Sequence, residues 1–151
     1  MPKITTFLMF NDQAEDALRL YASVFKDLKV SGLSAPGEGQ FMGGSFELDG
    51  QVFNVFNGGP TFTFSEGFSL MVSCKTQAEV DRLWEKLSEG GEPGRCGWLK
   101  DRVGVSWQIV PTRFGELLSS GDGAQAQRVV QAMLKMNKFD IAGLERAAAG
   151  S

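Results

Sequence analysis

In the first 60 residues, apolar and polar positions alternate, and one helical pattern interrupts the alternation. Residues 4–10 alternate as in a half-buried strand, and the box Asp12-Gln13-Ala14-Glu15 then predicts the start of a helix. The Asp49-Gly50 dipeptide lies between two alternating runs and predicts a type I′ hairpin turn, which needs positive φ at both positions. The predicted helix has its apolar stripe at Ala14, Leu18, Tyr21 and Phe25, the other strands are predicted over 28–34, 41–48 and 51–57, and a loop over 35–40.

The same order of patterns begins again after residue 60. Residues 68–74 predict a strand, and Thr76-Gln77-Ala78-Glu79 is a second capping box, followed by a helix that ends at Gly90-Gly91. This helix has its apolar stripe at Val80, Leu83, Trp84 and Leu87, and two more strands are predicted over 96–100 and 105–110.

The chain after Pro111 is predicted to be helical. Asp122 and Asp140 are predicted to cap two of its helices. The pattern leaves open whether the apolar residues of this region pack on their own module or on a second subunit. The predicted stripe of the first helix is Ala126, Val130, Met133 and Leu134.

The tripeptide Gln13-Ala14-Glu15 returns as Gln77-Ala78-Glu79, 64 residues later, and the surrounding elements return with it. Each half therefore predicts the order β-α-β-β-β. We expect one α+β domain over residues 1–151, with a first βαβββ module at 1–60, a second at 66–111 and C-terminal helices at 112–151.

Composition excludes several function classes. The net charge of −3 and the pI near 5.0 argue against nucleic acid as a partner, which would need a basic face. The chain has no histidine, so a site that needs imidazole as base or metal ligand is excluded. We expect a cytoplasmic protein without a membrane span, because no signal-peptide pattern or long apolar run is present. Cys74 and Cys96 are accordingly expected to be reduced.

Four segments of the sequence resemble one protein family. They are Phe10–Ala17, Phe46–Gln51, Phe56–Pro60 and the stretch from Cys96 to Pro111. The chain resembles the PhnB-like branch, also labelled 3-demethylubiquinone-9 3-methyltransferase, of the vicinal oxygen chelate superfamily. That superfamily includes glyoxalase I, bleomycin-resistance proteins and extradiol dioxygenases. The resemblance implies two βαβββ modules whose curved mixed sheets enclose a cavity, and it implies a homodimer.

In metal-dependent relatives, the first and last strands of each module supply four ligands. The internal repeat assigns these positions here to Thr5, Asn54, Ser69 and Gln108. All four side chains are neutral oxygen donors, whereas transition metals in open sites prefer imidazole, thiolate or carboxylate. We therefore expect no metal and no cofactor.

What remains is a cavity suited to a small organic ligand, with its reaction and its catalytic residues unknown. Arg95 or Lys100 could attract an anion, and Glu66 would have a raised pKa if buried. Asp49 and Asp101 are predicted to form turns. The aromatic and methionine residues that could line the cavity or pack behind it are Phe7, Met9, Phe53, Phe56, Met71, Trp98 and Trp107. The predicted substrate-binding residues are Thr5, Asn54, Asn57, Ser69, Trp98 and Gln108.

Two alternatives stay open at this point. One is a metal-assisted lyase or dioxygenase, as in the glyoxalase and extradiol classes. The other is a drug-sequestering protein that holds a cation between aromatic rings, for which Trp98 and Trp107 are the candidates. Methyl transfer, the activity in the family label, has no support from the residues, because no glycine-rich nucleotide-binding turn is found.

Overall fold

The computed structural model describes residues 2–34 and 42–150, and the chain divides into two compact units, Met1–Ser65 and Glu66–Ser151. Unit 1 contains β1 (Thr6–Phe10), α1 (Ala14–Val24), β2 (Lys29–Ser34), β3 (Gly43–Leu48) and β4 (Gln51–Asn57). Unit 2 contains β5 (Leu70–Cys74), α2 (Gln77–Ser88), β6 (Glu92–Pro93), β7 (Trp98–Lys100), β8 (Ser106–Pro111), α3 (Thr112–Ser119), α4 (Gly123–Met133) and α5 (Ile141–Ala149). The predicted α+β fold with two four-stranded mixed sheets is confirmed. The loop predicted over 35–40 lies outside the described residues.

The sheet of unit 1 has the strand order β1-β4-β3-β2, with β1 parallel to β4 and the other neighbours antiparallel. β1 buries Leu8 and Phe10 but leaves Phe7 53% exposed, so alternate side chains occupy opposite faces. Helix α1 packs on the buried face, where the rings of Tyr21 and Phe46 lie 5.8 Å apart. The core of unit 1 therefore lies on this face, and we call the opposite one the open face.

The hairpin between β3 and β4 turns at the predicted position. Asp49 and Gly50 have φ angles of 53° and 75°, and Leu48 pairs with Gln51 across the turn. Asp and Gly adopt this left-handed conformation at lower cost than other residues. The prediction of a tight turn at this dipeptide is confirmed.

The sheet of unit 2 repeats the plan, with the order β5-β8-β7-β6 and β5 parallel to β8. Helix α2 buries Val80, Leu83 and Leu87, three of the four residues in its predicted stripe, and Trp84 is half-buried. The two-residue strand β6 is too short for its alternation to predict it.

The two predicted capping boxes have different outcomes. Thr76 is the N-cap of α2, and its Oγ1 accepts a hydrogen bond from Glu79 N at 3.2 Å. Helix α1, in contrast, begins after Gln13, whose side chain makes no cap. The start of the helix is near the predicted position, but the predicted capping box at Asp12 is wrong. The first N–H of α1, on Ala14, donates instead to Asn57 Oδ1 at 2.8 Å. A residue that is distant in the sequence thus replaces the local cap.

The C-terminal helices differ from prediction in detail. Asp122 caps α4 as predicted, because its Oδ1 accepts from Gln125 N at 2.9 Å. The predicted stripe of α4 has the wrong phase: Val129 is buried, whereas Leu134 follows the helix and is 48% exposed. Asp140 makes no side-chain cap on α5, where Ile141 N donates to Gln77 Oε1. Among the described residues, no helix is long and apolar enough to cross a bilayer.

Candidate functional site

In unit 2 we likewise call the sheet face opposite to the one that buries Leu99 and Ile109 the open face. It carries Trp98 and Gln108, two of the predicted binding residues. The strand register pairs Gln108 with Met71 on one side and with Trp98 on the other. Trp98 and Gln108 are half-buried and Met71 is 61% exposed, whereas Leu99 and Ile109, at alternate positions, are buried. Strand alternation therefore places Trp98, Gln108 and Met71 in one row on the open face.

Ser69, which directly precedes β5, belongs to the same site. Gln108 Nε2 donates a hydrogen bond of 2.9 Å to Ser69 Oγ. The two positions that the repeat assigned to this module are therefore in direct contact. A carboxamide contains both donors and an acceptor, so this pair can orient a polar group of a ligand while each side chain holds the other.

A small pocket of about 180 Å³ lies next to this row and is lined in part by Trp98, Lys100, Glu66, Glu92 and Ser106. Lys100 Nζ lies 2.6 Å from Glu66 Oε1. Glu92 pairs with Lys100 in the strand register. The pocket therefore combines an indole ring with two carboxylates and one ammonium group.

The ion pair determines the charge state of the pocket. The hydrogen bond from Lys100 lowers the pKa of Glu66, and the same contact raises the pKa of Lys100. The side chain of Glu66 is 77% exposed, so burial, the condition under which its pKa would have been raised, is not met. Because Lys100 is paired with Glu66 and lies opposite Glu92, carboxylates compensate its charge, and attraction of an anion by Arg95 or Lys100 stays a prediction.

The open face of unit 1 carries Asn54. Ser45 Oγ donates to Asn54 Oδ1 at 2.7 Å, and Phe7 is in register with Asn54 on the neighbouring strand. Asn54 thus resembles Gln108 in position and in having a serine partner. The alternation of β4, in which Phe53 and Val55 are buried, places Asn54 on the open face.

The other two predicted residues of unit 1 lie at strand ends. Thr5 is exposed and precedes β1. Asn57 is the last residue of β4, and its Oδ1 accepts the hydrogen bond from Ala14 N that begins α1. Asn57 therefore has a structural role that the sequence analysis had not assigned to it, and its contact with a ligand stays a prediction.

Two of the candidate aromatic residues belong to the core. Trp107 is 2% exposed, and its Nε1 donates to Asp101 Oδ2 at 2.8 Å. Phe53 is 5% exposed and stacks on Phe46 with ring centroids 4.7 Å apart. Trp107 therefore cannot form an aromatic clamp with Trp98, because its indole is buried on the opposite face of the sheet.

The four positions that would hold a metal do not fit one. Thr5, Asn54, Ser69 and Gln108 are all neutral, and Asn54 and Gln108 are hydrogen-bonded to serine side chains. The part of the chain that the structure describes contains no group of three or more His, Cys, Asp or Glu residues arranged as metal ligands. Uncharged oxygen donors do not compensate the charge of a transition-metal ion.

Sequence analysis missed one residue near the site, Ser45, and one contact, the pairing of Lys100 with Glu66. Ser45 was detectable, because a two-residue turn at Asp49-Gly50 fixes the register and places Ser45 opposite Asn54. The pairing of Lys100 with Glu66 was not detectable, because Glu66 lies in a loop outside any strand register. The two cysteines are free thiols, Cys74 buried and Cys96 half-buried, and neither helps to locate the site.

Comparison with known proteins yields one family and several similar structures. The family model for 3-demethylubiquinone-9 3-methyltransferase matches residues 2–110. A PhnB protein from Bacillus cereus is 34% identical, with a TM-score of 0.64, over 73% of this chain and 99% of that one.

Two more distant structures support the fold alone. A protein from Pseudomonas aeruginosa is 20% identical, with a TM-score of 0.59, over 74% of this chain and 98% of that one. A protein from Bacillus cereus described as a possible glyoxalase is 14% identical, with a TM-score of 0.51, over 72% of this chain and 99% of that one. The comparison with curated proteins gives no match.

Proposed function

This chain belongs to the 3-demethylubiquinone-9 3-methyltransferase family, and we propose that it binds a small organic molecule on the open face of its unit 2 sheet without a transition metal. The observation that carries the proposal is the hydrogen bond between Gln108 and Ser69 in register with the half-buried Trp98. A ring can stack on the indole, while the amide and hydroxyl groups orient a polar substituent.

The size of the pocket limits what unit 2 binds by itself. About 180 Å³ is less than the roughly 300 Å³ at the lower end of typical small-molecule sites. The pocket therefore suits one ring or a short chain. Thr5, Asn54 and Asn57 are proposed separately as ligand-binding residues of unit 1, supported most directly by the position of Asn54 on the open face of that unit.

A ligand panel tests the proposal. Neutral aromatic amides, aromatic carboxylates and aromatic ammonium compounds would be titrated against the full chain by calorimetry and tryptophan fluorescence. At least one class should bind at millimolar concentration or below, and Gln108→Ala should weaken that binding about tenfold through the lost hydrogen bond. The matched control is Gln131→Ala, an exposed glutamine on α4. Absence of binding by all three classes, or equal loss in both variants, contradicts the proposal.

A second candidate function is the sequestration of an organic cation. Glu66 and Glu92 give the pocket one more carboxylate than ammonium group, and Trp98 offers a π face. Binding of the ammonium compounds alone, weakened by Glu92→Gln, would favour this candidate. Binding of the carboxylates alone would exclude it.

Metal-assisted chemistry has a direct test of its own. We expect elemental analysis of protein purified without chelator to give far less than one transition-metal ion per chain. A stoichiometric ion would overturn the metal-free part of the proposal. Methyl transfer is not proposed, because the mixed sheets lack the doubly wound parallel order that binds nucleotide cofactors at a glycine-rich turn.

The homodimer and the cytoplasmic location expected from the sequence belong to the same proposal. Exposed apolar side chains on the open faces, among them Phe7 and Met71, are compatible with a further layer of protein. Light scattering after size exclusion should give twice the chain mass at micromolar concentration. A monomer would refute the dimer while leaving the ligand proposal intact.

A further inference from the structure

The C-terminal helices lie outside the segment that matches the family. The match ends at residue 110, and α3, α4 and α5 follow within unit 2. Between α4 and α5 runs a segment of residues 134–140, which we call the α4–α5 linker. This linker contacts the short loop that precedes Trp98 in β7.

Two backbone hydrogen bonds join the linker to that loop. Cys96 N donates to Met136 O, and Gly97 N donates to Asn137 O, each at 2.8 Å. Cys96 and Gly97 both have left-handed backbones, with φ of 58° and 82°. An L residue such as cysteine rarely adopts this conformation, so the surrounding contacts must maintain it.

The ring of Phe139 packs directly against Gly97 of the loop. A Cβ atom at Gly97 would lie 2.5 Å from the ring of Phe139 and 2.9 Å from Ile109 O. Phe139 is 2% exposed and packs against Phe114 with ring centroids 5.3 Å apart. The loop and the linker are therefore in close contact, and glycine is needed where they meet.

The linker is also attached to α2. Gln77 Nε2 donates to Phe139 O at 2.9 Å, and Gln77 Oε1 accepts from Ile141 N at 2.8 Å. Lys138 Nζ lies 2.8 Å from Asp81 Oδ1. The linker therefore connects helix α2 to the loop that contains the left-handed residues Cys96 and Gly97.

The loop in turn sets the position of Trp98. Trp98 N donates to Arg95 O at 3.0 Å, and Trp98 O accepts from Gly94 N at 2.8 Å. Gly97 O accepts from Ile109 N, which aligns β7 with β8 next to Gln108. A shift of residues 96 and 97 would therefore also move the backbone of Trp98, and its indole ring with it.

We propose that the α4–α5 linker is a positioning element for the ligand site, acting through Cys96 and Gly97 to hold Trp98 in register with Gln108. The expected effect on ligand affinity rests on the proposed function. The conformation of Trp98 itself can be measured without any ligand. This separates failure of the positioning role from failure of the binding function.

The experiment compares Phe139→Ala with Phe139→Leu in full-length protein carrying Trp84→Phe, so that Trp98 and the buried Trp107 are the remaining indoles. Acrylamide quenching is measured well below the unfolding transition. We expect Phe139→Ala to raise the quenching constant about twofold through local loosening, and Phe139→Leu to restore it. Leu134→Ala, an exposed apolar residue of the same linker, is the matched control and should change nothing.

Binding supplies the second measurement. For any panel compound that binds the parent protein, Phe139→Ala should weaken affinity roughly tenfold, within the range for mutations that act through a network. If Phe139→Ala does not fold, Gln77→Ala is tested in its place. It removes both hydrogen bonds between Gln77 and the 139–141 segment, and exposed Gln127→Ala is its control. Loss of thermal stability with unchanged quenching of Trp98 overturns the positioning role. If no compound binds the parent protein, the proposed function fails, while the quenching result still decides the positioning role.

Discussion

Trp107 Nε1 donates a hydrogen bond of 2.8 Å to Asp101 Oδ2, and each of these residues is only 2% exposed. Asp101 Oδ1 also accepts from the N–H groups of Val103 and Val105, both at 3.0 Å. One buried carboxylate thus fixes the turn between β7 and β8 and orients an indole of the core. The prediction that Asp101 forms a turn is confirmed.

Replacing Asp101 should destabilise the protein strongly. Asp101→Ala leaves three N–H donors without this acceptor, and we expect the free energy of unfolding to fall by about 3 kcal/mol in urea titrations. The control Asp122→Ala removes an exposed helix cap and should cost about 1 kcal/mol. Equal losses in the two variants would show that the buried network adds nothing beyond a cap.

The Glu66–Lys100 pair should be visible in a pH titration. Because the folded-state pKa of Glu66 is below its ordinary value of 4.5, the contribution of the pair to stability is present above that value. It is lost as the pH falls through the lower pKa of the folded state. Carbon NMR of the Glu66 carboxyl should show a midpoint that rises in Lys100→Met and stays in place in Lys86→Met. Identical midpoints in all three proteins would contradict the ion pair.

Cys74 should react slowly with alkylating reagents. Burial, with a smaller effect of Glu79, raises the pKa of its thiol from 9.0 to about 11. At pH 9, in protein carrying Cys96→Ser, alkylation of the folded protein should be about fiftyfold slower than that of the unfolded protein, because about half of the unfolded thiol but only about 1% of the folded thiol is ionised. Stability from the neutral thiol is present below pH 9 and is lost as the pH rises through 11. Cys74→Ala should reduce this pH dependence, and Lys100, whose pKa is also raised, should account for part of the rest. A dependence that is unchanged in Cys74→Ala would contradict the role of the thiol.

Asn57 should behave as a helix cap. Asn57→Ala is expected to lower the free energy of unfolding by about 1 kcal/mol, because Ala14 N loses its acceptor. Asn57→Asp keeps an oxygen at the N-terminus of α1, where negative charge is favourable, and should retain most of the stability. Exposed Asn11→Ala is the control in the same urea titrations. An Asn57→Ala protein with the same free energy of unfolding as the parent would show that this cap does not stabilise the fold.

Local patterns predicted what depends on neighbouring residues. The alternation of residues 4–10 predicted a half-buried strand, in which Leu8 and Phe10 are buried, and the Asp49-Gly50 dipeptide predicted the turn that joins β3 to β4. The internal repeat, with the family resemblance, assigned Ser69 and Gln108 to the same candidate site, and their side chains are hydrogen-bonded to each other. These features follow from strand periodicity and turn geometry, which act over a few residues.

Contacts between distant segments were not predictable. Asn57 begins a helix that lies 43 residues earlier in the chain, and Gln77 accepts from Ile141, 64 residues later. The local candidates Asp12 and Asp140 were wrong because tertiary contacts already supply the acceptor. The phase of α4 was wrong for a similar reason: packing selects Val129, and the apolar pattern alone cannot distinguish it from Leu134.

The two different caps give the two main helices different folding requirements. Thr76 lies three residues before the N–H that it caps, so α2 carries its own start signal in the local sequence. Helix α1 receives its acceptor only after β4 has formed and aligned with β1, which closes a long loop first. The cap of α1 therefore exists only in the assembled unit 1, whereas the cap of α2 is encoded within the helix's own sequence.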